Sequence, residues 1–171
     1  EPRLRLTLFQ AVPKLDKLEQ IIQKSVELGA AEIVPVLTRR CVSRPTEKDF
    51  AKKLPRLQKI AQEAAKQCGR GMIPEVSALI GFREMTERLQ SFDRSFLLYE
   101  EQGGIPFGQA DVEGISSAAL IIGSEGGFDP EEAEAAQKAG AVRIWLGKRI
   151  LRCETAPITA ISILMFLTNN M

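Results

Sequence analysis

Short apolar runs and helical patterns alternate along this chain from end to end. That alternation limits the architecture more than any other feature. Residues 3–12, "RLRLTLFQAV", alternate and then turn apolar, as a strand entering a core does. In 14–30, "KLDKLEQIIQKSVELGA", Leu15, Leu18, Ile21, Ile22, Val26 and Leu28 recur at helical spacing until Gly29 stops them. Further strands are expected at 32–38, 73–79, 94–101, 117–125 and 142–147, and further helices at 50–71, 81–90, 129–141 and 156–170. Loops are expected at 39–49 and at the glycine-bearing 102–114. Strands alternating with helices specify an α/β domain with a mostly parallel sheet flanked by helices. At 171 residues the chain suits one such domain with a real core. Pro35, inside the second strand, is awkward there because proline cannot donate to a ladder.

Two helices carry more information than their periodicity. The helix at 129 has strong start signals: Asp129 as N-cap, Pro130 behind it, and Glu131 and Glu132 in the first turn. The last helix, "APITAISILMFLTNN", is apolar nearly all round. Such a helix either covers a sheet face or lies in a subunit interface, and both remain open. No stretch approaches the roughly 20 apolar residues of a membrane span. The opening "EPRLRLTLFQ" interleaves Arg with short apolar steps and does not read as a signal peptide.

Residue types narrow the chemistry. The chain contains no histidine, which removes Ser-His and Cys-His nucleophile pairs. Any general base must be Asp, Glu, Lys, Tyr, Cys or a water. Cys41, Cys68 and Cys153 are widely spaced, with no CxxC, and point to free thiols in a reducing cytosol. Without His or paired Cys, no zinc site is expected.

Three stretches carry the functional signal. "IIGSEGGF", 121–128, puts glycines and Glu125 at the C-terminal end of a strand, where open α/β sheets bind ligands. It is neither a Walker A loop nor GxGxxG. The carboxylates of the next helix already occupy its positive end, which disfavours a phosphate there. The loop therefore suits a ligand held by backbone groups and tight glycine turns, or it is a plain structural turn with Glu125 solvated. "LGKRILRCETAPITA", 146–160, leaves a strand through Gly147 and enters the last helix, which Thr155 can cap with Pro157 in the first turn. Neither need explains Arg149 and Arg152 beside Glu154. A salt-bridged surface loop and a site shared with 121–128 are the alternatives. Finally, ten Lys or Arg against three acids between Arg39 and Arg70 give a local charge near +7 in a chain of net +1. That tract either neutralises nucleic-acid phosphates or is a solvated helix face.

With these stretches together, the chain resembles the SPOUT superfamily of methyltransferases, and within it the RsmE family. The residues that carry the resemblance are "KLEQIIQKSVELGAAEIVPVLTRRCV", "RLQKIAQEAAKQCGRGMIPEV", "IIGSEGGFDPEE" and "LGKRILRCETAPITA". Members often have proline where Ser124 stands. The family methylates N3 of a uridine in 16S ribosomal RNA of the small subunit, using S-adenosyl-L-methionine. The resemblance implies a C-terminal deep trefoil knot, an exception to unknotted topology, and a homodimer formed through it. It implies a single SPOUT methyltransferase domain over 1–171. The family's N-terminal PUA-like RNA-binding domain is expected to be absent, because the chain begins where the catalytic domain should begin.

The implied cofactor contacts are Leu98, Tyr99, Glu100, Ile122, Gly123, Glu125, Gly127, Leu146, Gly147, Ile150, Leu151, Arg152, Thr155 and Ala156. With no histidine in the chain, the expected catalytic group is Arg152, stabilising negative charge on a uracil oxygen. Glu125 or Glu154 is the candidate proton acceptor, unless one of them positions Arg152. Lys148 and Arg149 are expected to be RNA or surface contacts. Arg39, Arg40, Arg44, Lys52, Arg56, Lys59, Lys66 and Arg70 are expected to hold RNA phosphates, with no metal and no membrane involved. The rival readings are a non-catalytic RNA-binding or ribosome-assembly module and a SPOUT enzyme acting on another RNA.

Overall fold

In the computed structural model, which describes residues 1–99 and 103–171, the expected alternation becomes an eight-stranded sheet. The strands are β1 (Arg5–Ala11), β2 (Glu32–Leu37), β3 (Glu75–Val76), β4 (Ile80–Gly81), β5 (Arg94–Leu98), β6 (Ile105–Pro106), β7 (Ser117–Ile122) and β8 (Ala141–Trp145). The helices are α1 (Lys17–Glu27), α2 (Glu47–Cys68), α3 (Phe82–Arg88), α4 (Pro130–Lys138) and α5 (Thr155–Leu167). The sheet runs β3-β2-β1-β7-β5-β8-β6, with β4 also on β2, and its strand pairs are parallel.

Period-2 patterning sorts the strand residues onto two faces. Leu6 and Leu8 of β1, with Ala118, Leu120 and Ile122 of β7, join a core completed by α1, α2 and α5. Phe9, Ala119 and Ile121, one step out of phase, join a second core with Met85 of α3 and Ala133 and Ala136 of α4. Both faces are therefore covered, as a parallel sheet requires. Residues such as Leu8, Leu120 and Ile161 are fully buried, each stabilising by about 1.5–3 kcal/mol relative to exposure.

Pro35 finds a harmless position. The Val36 carbonyl accepts from Val12 on the β1 side, and the Ile33 carbonyl accepts from Ser77 on the other. Pro35, two residues beyond Ile33, turns its missing donor toward the break between β3, which pairs with 32–33, and β4, which pairs with 36–37.

Several expected boundaries move. The strand expected over 73–79 shrinks to β3, and β4 lies beyond it at 80–81, where the chain was expected to be entering a helix. The loop expected over 102–114 contains β6. Helix α2 begins three residues early because Thr46 accepts from the Asp49 N–H, and Gly69 ends it at φ 76°. Leu15, counted on the helical face of α1, lies outside that helix at φ 55° and is 89% exposed. Its neighbour Lys14 is held by Glu125 instead of by helix geometry. Thr155 does not cap α5: it is the first helical residue, Glu154 precedes it, and the Arg152 carbonyl accepts from the Thr155 and Ala156 N–H groups. The α4 start is as expected: Asp129 accepts from Glu131, and Glu132 reaches back to the Asp129 N–H.

Candidate active site

The two signature stretches meet. The glycine loop leaves the C-terminal end of β7 and the last loop leaves β8, and between them lies a cleft of roughly 710 Å³. That size is suited to a small-molecule cofactor. Of the expected cofactor contacts, Leu98, Tyr99, Ile122, Gly123, Glu125, Gly127, Leu146, Gly147, Ile150, Leu151, Arg152 and Ala156 line it. Thr155 and the candidate proton acceptor Glu154 stand outside the lining, and Glu100 lies outside the described residues. Lys148 and Arg149, expected to be RNA or surface contacts, line the cleft as well. Lys17, Gly104, Trp145 and Cys153 also line it; of these only Cys153 falls within one of the three stretches that carry the functional signal.

The glycine loop is tightly built. A Cβ on Gly123 would lie 3.0 Å from the Gly127 Cα, so these two residues approach closely only because both lack side chains. Gly127 has φ 65° and donates its N–H to the Ser124 carbonyl, closing the turn. Buried Gln10 donates through Nε2 to the Gly123 carbonyl, and Arg40 donates to the Gly126 carbonyl.

Electrostatics centre on Lys17. Its Nζ lies 3.1 Å from Glu125 Oε1 and 3.1 Å from Glu154 Oε2. Glu125 also accepts from the Lys14 N–H at 3.1 Å. The hydrogen bonds to Glu125 and then Glu154 raise the Lys17 pKa. Burial pushes both carboxyls up, but in Glu125 backbone donors and Lys17, and in Glu154 the Cys153 thiol, a backbone donor and Lys17, outweigh it and leave both below the ordinary value. The Cys153 thiol, 3.2 Å from Glu154 Oε2, is pushed up to about 12, first by burial and then by that carboxylate. Arg152 is exposed and forms no ion pair with either glutamate among the described residues.

The expected RNA contacts separate into two groups. Arg39 pairs with Asp129 and Glu131 at the start of α4, Arg40 donates to the glycine loop at Gly126, and Arg44 donates to the Thr38 carbonyl; none of the three lines the cleft. On α2, Lys52, Arg56, Lys59 and Lys66 are exposed, and Lys52, Arg56 and Lys66 pair with Asp49, Glu19 and Glu63. Arg70 turns inward: its side chain is 9% exposed and donates to the Val26 and Ala30 carbonyls and to Glu1. No cluster of metal ligands occurs among the described residues.

A parallel α/β domain with a ligand cleft at its strand ends is the setting in which the wider comparisons fall. The family model described as "RNA methyltransferase domain" matches residues 1–165. The chain is 39% identical to the ribosomal RNA small subunit methyltransferase E of Bacillus subtilis (strain 168), across 96% of this chain and 67% of that one. It is 36% identical to the protein of the same name from Mesomycoplasma hyopneumoniae (strain 232), across 92% and 68%. Its fold is similar to the crystal structure of a ribosomal RNA small subunit methyltransferase E from Neisseria gonorrhoeae bound to S-adenosyl methionine. There the TM-score is 0.89 and the identity 35%, over 98% of this chain and 68% of that one. The chain belongs to this ribosomal RNA small subunit methyltransferase E family of RNA methyltransferases. It spans about two thirds of the length of these relatives.

Proposed function

We propose that this chain is a methyltransferase domain that transfers the methyl group of S-adenosyl-L-methionine to N3 of a uridine in 16S ribosomal RNA. The observation that carries the reading is the convergence of the glycine loop and the last loop on one cleft. It stands in a chain 35% identical to a structure with that cofactor bound.

The residues fit the cofactor. Leu98, Ile122, Leu146 and Leu151 offer apolar contact for an adenine, and Gly123, Gly127 and Gly147 leave room for backbone approach. The acidic start of α4 is capped on itself and leaves no phosphate cradle, and the cofactor has no phosphate. When bound, S-adenosylmethionine supplies an electrophilic methyl group on a sulfonium. Arg152 reaches the cleft with its guanidinium uncommitted to either glutamate, and it stabilises the negative charge that develops on a uracil oxygen as N3 loses its proton. Glu125 and Glu154 remain the carboxylates at hand to accept that proton. Their lowered pKa values make them weak bases, which favours a positioning role, with Lys17 in place of Arg152 as the group they hold. Arg39, Arg40 and Arg44 guide RNA to the cleft, and the exposed cations of α2 extend that surface.

The SPOUT knot belongs to the same reading. Its support is that β8, the last loop and α5 follow one another around the cleft. A homodimer through this region would cover Phe166, which is 71% exposed on the apolar helix α5. No helix among the described residues is long and apolar enough to cross a membrane, and three free thiols fit a reducing cytosol.

The test is calorimetric titration with S-adenosylmethionine, followed by transfer of a labelled methyl group to small-subunit RNA and nucleoside analysis. Saturable binding near one site per chain and label in N3-methyluridine are expected. Binding without transfer would favour the assembly-module reading, and label in another nucleoside a different RNA target.

A further inference from the structure

Three separate segments end at one ammonium group. Lys17 stands at the first turn of α1, Glu125 at the tip of the glycine loop, and Glu154 where the last loop enters α5. The lysine Nζ is 3.1 Å from a carboxylate oxygen of each, and 3.9 Å from Cys153 Sγ. The α1 end of this junction is held a second time, since the Lys14 N–H donates to both oxygens of Glu125 at 3.1 and 3.3 Å. The three side chains are only 17–29% exposed, so the pairs lie between bulk water and the core. None of the three segments is adjacent to another in the chain, and no strand pairing joins the glycine loop to the last loop among the described residues. Withdrawing the lysine would leave two carboxylates facing one another across the cleft wall, which costs more than the loss of the attraction alone.

We propose that Lys17 is a positioning residue: an ionic clasp that holds the glycine loop and the last loop at the spacing the cofactor needs. This rests on the methyltransferase reading of the cleft. Lysine serves because one compact ammonium with three donors can meet two carboxylates and a sulfur from different directions. The clasp acts on cofactor affinity, and through it on turnover at limiting cofactor. Turnover at saturating cofactor and RNA affinity are left largely unchanged.

The test is a double-mutant cycle read by calorimetric affinity for S-adenosylmethionine, with thermal melting of each variant as control. K17M should weaken binding roughly tenfold, and E154A, which frees only the last-loop arm, severalfold less. The double variant K17M/E154A should bind no worse than K17M, because both changes break one junction. K17R should restore most of the affinity. Cofactor KM should rise in K17M while kcat at saturating cofactor changes little. A purely stabilising role would lower the melting temperature and leave the affinity of the folded fraction intact. Equal affinities for wild type, K17M and E154A would overturn the clasp, as would full additivity in the cycle. If K17M does not fold, E154A and K17R still decide the matter, because E154A binding as wild type removes the last-loop arm. A wild-type chain that does not bind the cofactor defeats the underlying reading. A wild-type chain that binds, with variants that bind equally well, defeats only the clasp.

Discussion

The two walls of the cleft are built by opposite means. The glycine loop is over-determined: a Cβ on Gly123 would meet the Gly127 backbone, Ser124 bridges to Gly127, Gln10 and Arg40 hold its carbonyls, and a capping box fixes the helix behind it. The last loop has little of this. A Cβ on Gly147 would meet nothing within 4 Å, Ile150 is 82% exposed, and Lys148, Arg149 and Arg152 have no ion pair among the described residues. One wall is braced within itself, while the other is largely open to solvent and is tied back through Glu154 to Lys17. Close bracing suits a wall that fixes a bound cofactor, and an open loop leaves room beside it for an RNA substrate.

The contrast breaks most severely at Arg152, the cation of the last loop proposed to act on the uracil oxygen. Arg152→Ala should lower the rate of methyl transfer by about a hundredfold or more while leaving cofactor affinity within about threefold. Wild-type turnover in that variant would remove Arg152 from the mechanism. Next in size is a pair of glycine changes. Gly123→Val drives a side chain into the Gly127 backbone and should abolish saturable cofactor binding. Gly147→Ala, strained at φ 119° but free of contacts, should cost about 1 kcal/mol of stability and little affinity. Equal affinity losses in the two variants would show that the walls are not different in kind.

Asp129→Ala removes the cap behind the braced wall. It should cost about 1 kcal/mol, seen as a melting temperature lower by roughly 2–4 °C. The smallest effect lies in the thiols. With Cys153 raised to about 12 and buried, iodoacetamide at mildly alkaline pH should label exposed Cys68 well before it. As pH rises from the ordinary thiol value toward that figure, the unfolded chain releases the Cys153 proton first, so the thiol's contribution to stability is lost across that interval. At the acid end the sign is opposite. The lowered Glu125 and Glu154 contribute stability that is present above the ordinary carboxyl value and lost as pH falls through their depressed values. Rapid labelling of Cys153 in the folded chain would contradict its placement between Glu154 and the core.

Much of this protein was determined by the sequence alone, wherever the cause was local. Period-2 and period-3.6 spacing placed the main strands and helices, Asp129-Pro130-Glu131-Glu132 marked the start of α4, and two glycine-bearing strand ends marked the loops that line the cleft. Tertiary structure decided what depends on segments distant in the chain. It alone set Pro35 opposite a break between two strands, tied Lys14, beside Leu15, to Glu125, and turned Arg70 toward the Val26 and Ala30 carbonyls. It also brought Lys17 to Glu125 and Glu154, which are 108 and 137 positions away. The physical reason is that spacing along a chain encodes which face a residue occupies. Which charge meets which is settled only when the parallel sheet brings its strand ends together.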